Sequence, residues 1–183
     1  DYYSQGKALG NLGIAYISQG DRVKGMEYLQ KSLSIARRIQ NPQDEAMILG
    51  HMGEVYLYQG DRAKGIDYLQ KKLAIVKQIQ DIQQEIIELE SLARVFILSG
   101  NYDKGICYIE EGFHNLGLIY YHAGQYTQGI EYHQQSLKIA QEIKSLEIEG
   151  KALGNIGLAY FKLGEYEKAV EHEKQWLAIA RRI

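Results

Sequence analysis

One constraint dominates this chain: it repeats itself about every 40 residues. ALGNLGIAY at 8–16 returns as ILGHMGEVY at 48–56, SLARVF at 91–96, HNLGLIY at 114–120 and ALGNIGLAY at 152–160. Gly13 and Gly53 lie 40 residues apart, Ala93 continues the step, and Gly117 and Gly157 repeat it. A second column runs Gly20, Gly60, Gly100, Gly124, Gly164, and a third Gly25, Gly65, Gly105, Gly129, closed by Ala169. Gly10, Gly50 and Gly154 form a fourth column, Gly6 and Gly150 a fifth. Of 19 glycines only Gly112 stands outside. A period of this size marks a supersecondary unit that buries its apolar face by stacking on its neighbours.

Within each unit the apolar spacing is helical. Leu9, Leu12 and Tyr16 step by three and four along one face, and Leu29, Leu33 and Ala36 by four and three on a second helix. The second-column glycines follow the first helix of each pair, where a left-handed residue ends it. Asp21, Asp61 and Asn101 then sit as N-caps, with Gln125 and Glu165 poorer caps at the same place. Asn41 can cap the next helix, with Pro42 at its first position. This pattern predicts ten helical segments and an all-α fold. The chain holds one proline, in keeping with that. Columns one and three fall inside helices, where glycine costs roughly 1 kcal/mol against alanine. Their recurrence points to close helix–helix approach, with Tyr16, Tyr56, Phe96, Tyr120 and Tyr160 filling the space beside it.

Leu12-Gly13, Tyr16, Gly25 and Leu33, and again Met52-Gly53, Tyr56, Gly65 and Leu73, resemble the tetratricopeptide repeat. Its common period is about 34 residues. The 40-residue step is similar to the long-repeat members: kinesin light chains, the LGN/Pins adaptors and many bacterial multi-repeat proteins. Tyr166 to His172 followed by Trp176 to Ala180 is especially close to the LGN/Pins style. The resemblance implies a superhelix, a solenoid of antiparallel helix pairs with the first helix of each pair on the concave side. Residues 1–183 then form one solenoid of about five repeats: 1–40, 41–80, 81–113, 114–144 and 145–183, the third and fourth truncated.

One step breaks the period. Gly100 to Gly124 is 24 residues, 16 short. Either a segment is missing near Phe113–His114, or the second helix of unit three runs directly into the first of unit four. Ile106, Ile109, Phe113, Leu116 and Tyr120 make a continuous seam that favours fusion; Gly112 and Gly117 within it oppose a rigid helix.

Once Leu12, Gly13 and Tyr16 pack inward, the remaining face of each first helix is a candidate groove. One column reads Asn11, His51, Ser91, Asn115, Asn155, all hydrogen-bonding residues. In the long-repeat families asparagines at the matching place hold the backbone of an extended peptide, which the resemblance extends to this column. A side-chain amide offers both donor and acceptor. The next column, Ile14, Glu54, Arg94, Leu118, Leu158, varies in character. Arg94 could grip a partner carboxylate, or Glu54 and Arg94 could simply pair in solvent. Apolar Tyr121 and Phe161, with Tyr58 beside them, complete the candidate peptide-binding groove.

Charge is nearly balanced, 21 Lys+Arg against 23 Asp+Glu, which argues against a nucleic-acid binder. No apolar run is long enough to span a bilayer, and no leader pattern opens the chain. A single cysteine, Cys107, fits a reducing, cytoplasmic setting. Its best reading is a small buried core residue rather than a nucleophile. None of the five histidines lies i, i+4 from another, and His133 and His172 read as packing residues. The chain therefore predicts no catalytic residues, no metal and no cofactor. It reads as a scaffold for a protein or peptide partner. Two alternatives stand: a self-assembling solenoid forming homo-oligomers, or the regulatory arm of a larger effector. Ala180-Arg-Arg-Ile183 is in phase with Ala36-Arg-Arg-Ile39 and leaves Leu177 and Ile179 facing a missing neighbour, which suggests a fragment or end-to-end association.

Overall fold

The computed structural model describes residues 1–183 and contains helices only. They are α1 (Tyr2–Ser18), α2 (Arg22–Arg38), α3 (Pro42–Tyr58), α4 (Arg62–Gln78), α5 (Ile82–Leu98), α6 (Tyr102–His122), α7 (Tyr126–Glu142), α8 (Leu146–Leu163) and α9 (Tyr166–Ala180). The chain divides within α5 into two compact units, Asp1–Val95 and Phe96–Ile183.

Nine helices form, not ten. The shortfall is absorbed by α6, a continuous 21-residue helix that serves as the second helix of repeat three and the first of repeat four. Gly112 does not break it. A Cβ built there would meet nothing within 4 Å, so that glycine costs only its helix propensity.

The turns follow the sequence pattern. Gly20, Gly60, Gly100, Gly124 and Gly164 all adopt φ between +76° and +91°, the left-handed region that favours glycine. The side chains of Asp21, Asp61 and Asn101 accept from the amides of Lys24, Lys64 and Lys104 at 3.1, 3.1 and 3.4 Å. Gln125 and Glu165 make no side-chain cap bond. Asn41 accepts from the Asp44 amide at 3.1 Å, with Pro42 opening α3. At the second kind of turn the left-handed residue is not glycine: Gln40, Gln80 and Lys144 take φ of 53–58°.

Inside each pair the glycine columns bring backbones together. A Cβ on Gly13 would lie 2.8 Å from Leu29 Cγ and 3.0 Å from the Gly25 carbonyl oxygen. Beside this contact the aromatic column stacks on the second helix. Tyr16 meets Tyr28 at 5.3 Å between ring centroids, Tyr56 meets Tyr68 at 5.4 Å, Phe96 meets Tyr108 at 5.5 Å and Tyr120 meets Tyr132 at 5.2 Å. His172 takes the fifth place against Tyr160 at 5.3 Å, a packing role as its position predicts.

In unit one, Leu29, Leu33 and Ala36 of α2 bury against Ile48, Leu49 and Met52 of α3. In unit two, Ile130 of α7 buries against Ile156 and Ala159 of α8. Two expectations are corrected. Leu12 is 44% exposed, whereas Met52 and Ile156 at the same register are fully buried. Those two meet the preceding second helix, and α1 has none before it in the structure. Leu177 is 50% exposed as expected, but Ile179 is buried, lying over Gly150 with its Cγ2 3.5 Å from where a Cβ would be.

Candidate functional site

Glycines on the first helices admit second-helix side chains to the groove. Gly10, Gly50 and Gly154 are buried, and a side chain from the second helix of the pair packs over each. Ser32 Oγ would be 3.2 Å from a Cβ at Gly10, Lys72 Cδ 3.0 Å at Gly50, and Trp176 packs at 3.5 Å on Gly154. These residues follow their glycines by 22 positions, as Ser136 follows His114. Reading first helices alone missed them; the constant offset was the available signal. Ser32 is fixed by donating to the Gly6 carbonyl at 2.8 Å.

Unit one holds two adjoining cavities. About 310 Å³ lies between α1 and α3, bordered by Asn11, Ile14, Ser32, Met47 and His51. About 280 Å³ lies between α3 and the following helices, bordered by His51, Glu54, Lys72 and Gln84. The structure thus brings Asn11, Ile14, His51 and Glu54 around one continuous depression, with His51 shared by both cavities. The His51 ring approaches Glu54 at 3.7 Å. Tyr58 is 81% exposed and borders neither cavity. Ser91 is half-buried on α5. Arg94 does not pair with Glu54: its guanidinium donates to Glu90 at 2.9 Å, one turn earlier on the same helix. Both groups are well exposed, so that pair contributes little.

Unit two has three cavities in series. About 330 Å³ is bordered by Cys107, Glu110, Glu111, His114, Asn115 and Lys151. About 500 Å³ is bordered by His114, Leu118, Lys151, Asn155, Leu158 and Trp176. The third, about 720 Å³ and almost wholly apolar, is bordered by Leu158, Phe161, Tyr166, Val170, Trp176 and Leu177. Asn115, Leu118, Asn155, Leu158 and Phe161 therefore lie along this depression. Tyr121 turns away into the core, edge-on to Tyr126 at 5.4 Å and beside Ile130 and Ile156. Cys107 is exposed on the groove side, not buried as its residue type suggested.

Two groups in unit two are electrostatically unusual. Burial pushes the Glu110 carboxyl above its ordinary range, partly offset by the Ser136 hydroxyl, which donates to it at 2.5 Å. Burial also holds the His133 ring down to about 4, with the charge of His114 adding to the effect.

The family model for the tetratricopeptide repeat matches residues 4–78 and 108–182, and the chain belongs to that family. No curated protein matches it in sequence. Among solved structures it resembles a STAND signal-transduction ATPase with a tetratricopeptide repeat sensor from Pyrococcus horikoshii. That match has a TM-score of 0.55 and 20% identity, over 99% of this chain and 31% of that one. It also resembles aspartyl phosphate phosphatase F from Bacillus subtilis, at TM-score 0.50 and 16% identity, over 95% of this chain and 50% of that one. The apo form of RapI matches at TM-score 0.50 and 15% identity, over 97% and 71%. At these identities the likeness is one of fold, an all-α arrangement of tetratricopeptide helix pairs. The chain spans about a third of the length of the STAND protein. No helix is long and apolar enough to cross a membrane.

Proposed function

We propose that this chain is a protein-interaction scaffold, each unit gripping an extended segment of a partner along its groove. The observation that carries this reading is the row of amide and imidazole side chains along the cavities of each unit. Asn11 and His51 border one cavity with Gly10, Asn155 borders a second with Gly154, and Asn115 borders a third. A peptide backbone needs a donor and an acceptor at regular intervals, and side-chain amides supply both. The varied neighbours, Ile14, Glu54, Leu118 and Leu158, would select side chains.

The test uses a random peptide library panned on the intact chain. Selected peptides should bind Asn115→Ala and Asn155→Ala about fivefold more weakly each, the loss of one hydrogen bond of about 1 kcal/mol. Arg94→Ala should leave affinity nearly unchanged, because Glu90 already occupies its guanidinium. Peptides that bind all asparagine variants as well as the parent would remove the groove reading.

A second reading is favoured by the apolar cavity on α9. Val170, Trp176 and Leu177 are 52%, 45% and 50% exposed there, a concentration typical of interaction surfaces. Self-association through this face would show as a concentration-dependent mass in light scattering, abolished by Leu177→Glu. A monomer at all concentrations would dismiss it.

A further inference from the structure

The second-helix position that faces the first-column glycine is leucine in unit one, Leu29 against Gly13 and Leu69 against Gly53. In unit two it is polar in both pairs, His133 against Gly117 and the partly exposed Glu173 against Gly157. His133 is fully buried, and neither Nδ1 nor Nε2 has a hydrogen-bond partner. Buried polar groups are ordinarily paired, and an unpaired one costs stability. A leucine would fill this space without that cost. The His133 ring lies 5.5 Å from that of His114. His114 borders two cavities of the unit-two groove, with Asn115 in one and Asn155 in the other. The orphaned imidazole therefore stands one ring behind the groove wall. It also stands at the tightest point of the α6–α7 contact, where a Cβ on Gly117 would lie 2.5 Å from His133 Cε1.

We propose that the His114–His133 pair is an acid-sensitive latch, releasing α7 from α6 and so loosening the unit-two groove when the pair takes up protons, while unit one stays closed. The consequence for a partner rests on the groove reading; the opening itself is measurable with no partner present.

The groups facing the pair come from four helices. On α6 they are Glu110 and Glu111, on α8 Lys151, and on α9 Glu173, which borders the same cavity as His114. On α7 the neighbour of His133 is Ser136, engaged with Glu110. None of these offers His133 a lasting counter-charge. Its electrostatic neighbour is His114, a like charge once protonated. Burial and Lys151 hold His114 below its usual value, with Glu111 opposing. Glu110, raised by burial, neutralises early as the pH falls. A histidine depressed in the folded state binds more protons once exposed. The closed contact is therefore at full strength above the ordinary histidine value of about 6.5, and weakens as pH falls from there to about 4.

The experiment is amide hydrogen exchange on the intact chain at pH 7 and pH 5, each corrected for intrinsic exchange. Opening of α6 and α7 should rise roughly twentyfold at pH 5, the proton uptake expected of one such histidine. Amides of residues 1–95 should change by less than about twofold. His133→Leu, which copies Leu29 and Leu69, should abolish the acid response. A rise below about threefold in unit two, an equal rise in unit one, or an acid response retained by His133→Leu would each overturn the latch. Because the variant could repack, the His133 ring of the parent is also titrated by NMR: a midpoint near 4 supports the proposal, one near 6.5 defeats it. A chain that opens in acid but binds no library peptide keeps the latch and loses the groove reading. A chain that binds peptide without acid opening does the reverse.

Discussion

Gly25→Val is expected to break the first helix pair, at a cost of about 3 kcal/mol or more. A Cβ at Gly25 would lie 2.5 Å from Ile17 Cγ1, 2.9 Å from the Gly13 carbonyl oxygen and 3.1 Å from the Ile17 amide nitrogen. The isoleucine could turn aside. The two backbone atoms cannot, because they belong to α1 itself, so α2 must move away. Moving it separates Leu29 from Gly13 and opens the cluster that α2 shares with α3. At the same column α9 carries Ala169, buried and tolerated, so the limit is set by how closely each pair approaches. Branching at Cβ exceeds what any crossing here accepts. The measurement is the denaturation midpoint, with exchange of α1 and α2 amides locating the damage. Gly112→Ala is the control. With open space around its Cβ, it should stabilise α6 by up to about 1 kcal/mol. A Gly25→Val chain as stable as the parent would mean that the glycine columns are not contact points.

The features that repeat were legible in the sequence, because each is a local demand met several times. Left-handed glycines, aspartate caps and the aromatic column recur in register, so one unit predicts the next. What escaped is what differs between units. The fusion of α6 was open on sequence because its apolar seam and its two glycines argue opposite ways. The structure separates them: Gly112 faces open space, and Gly117 is needed where His133 presses on α6. Comparing columns across repeats placed Arg94 opposite Glu54. Side chains one turn apart on a helix are closer, and Glu90 takes the guanidinium. By residue type Cys107 is expected to be buried, but it falls on the α6 face that borders the groove. Groove residues on first helices were found because that face is left over after packing. Ser32, Lys72 and Trp176 were not, since a second-helix residue reaches the groove only over a missing side chain.

Lys72 is the residue whose loss should be felt most among these. Its ammonium meets Glu88 at 2.6 Å, with side-chain exposures of 19% and 4%, and Gln84 donates to the same carboxylate at 2.5 Å. Glu88 occupies the register that is Ile48 in α3 and Ala152 in α8, both buried and apolar. An ionised carboxylate there has lost nearly all its water and depends on its partner. Lys72→Met keeps most of the volume over Gly50 and removes the charge. It should therefore destabilise unit one by about 3–5 kcal/mol, the usual cost of stranding a buried ion. Lys72→Met with Glu88→Ile removes both charges and restores the residue that α3 uses at this register. That double variant should return to within about 1 kcal/mol of the parent or exceed it, because desolvating two ions offsets most of their attraction. The cycle of single and double variants, read by denaturation, isolates the coupling between the two side chains. If the double variant is as unstable as Lys72→Met alone, the charge pair is not what holds α4 against α5, and the packing of the lysine stem over Gly50 would have to carry the effect instead.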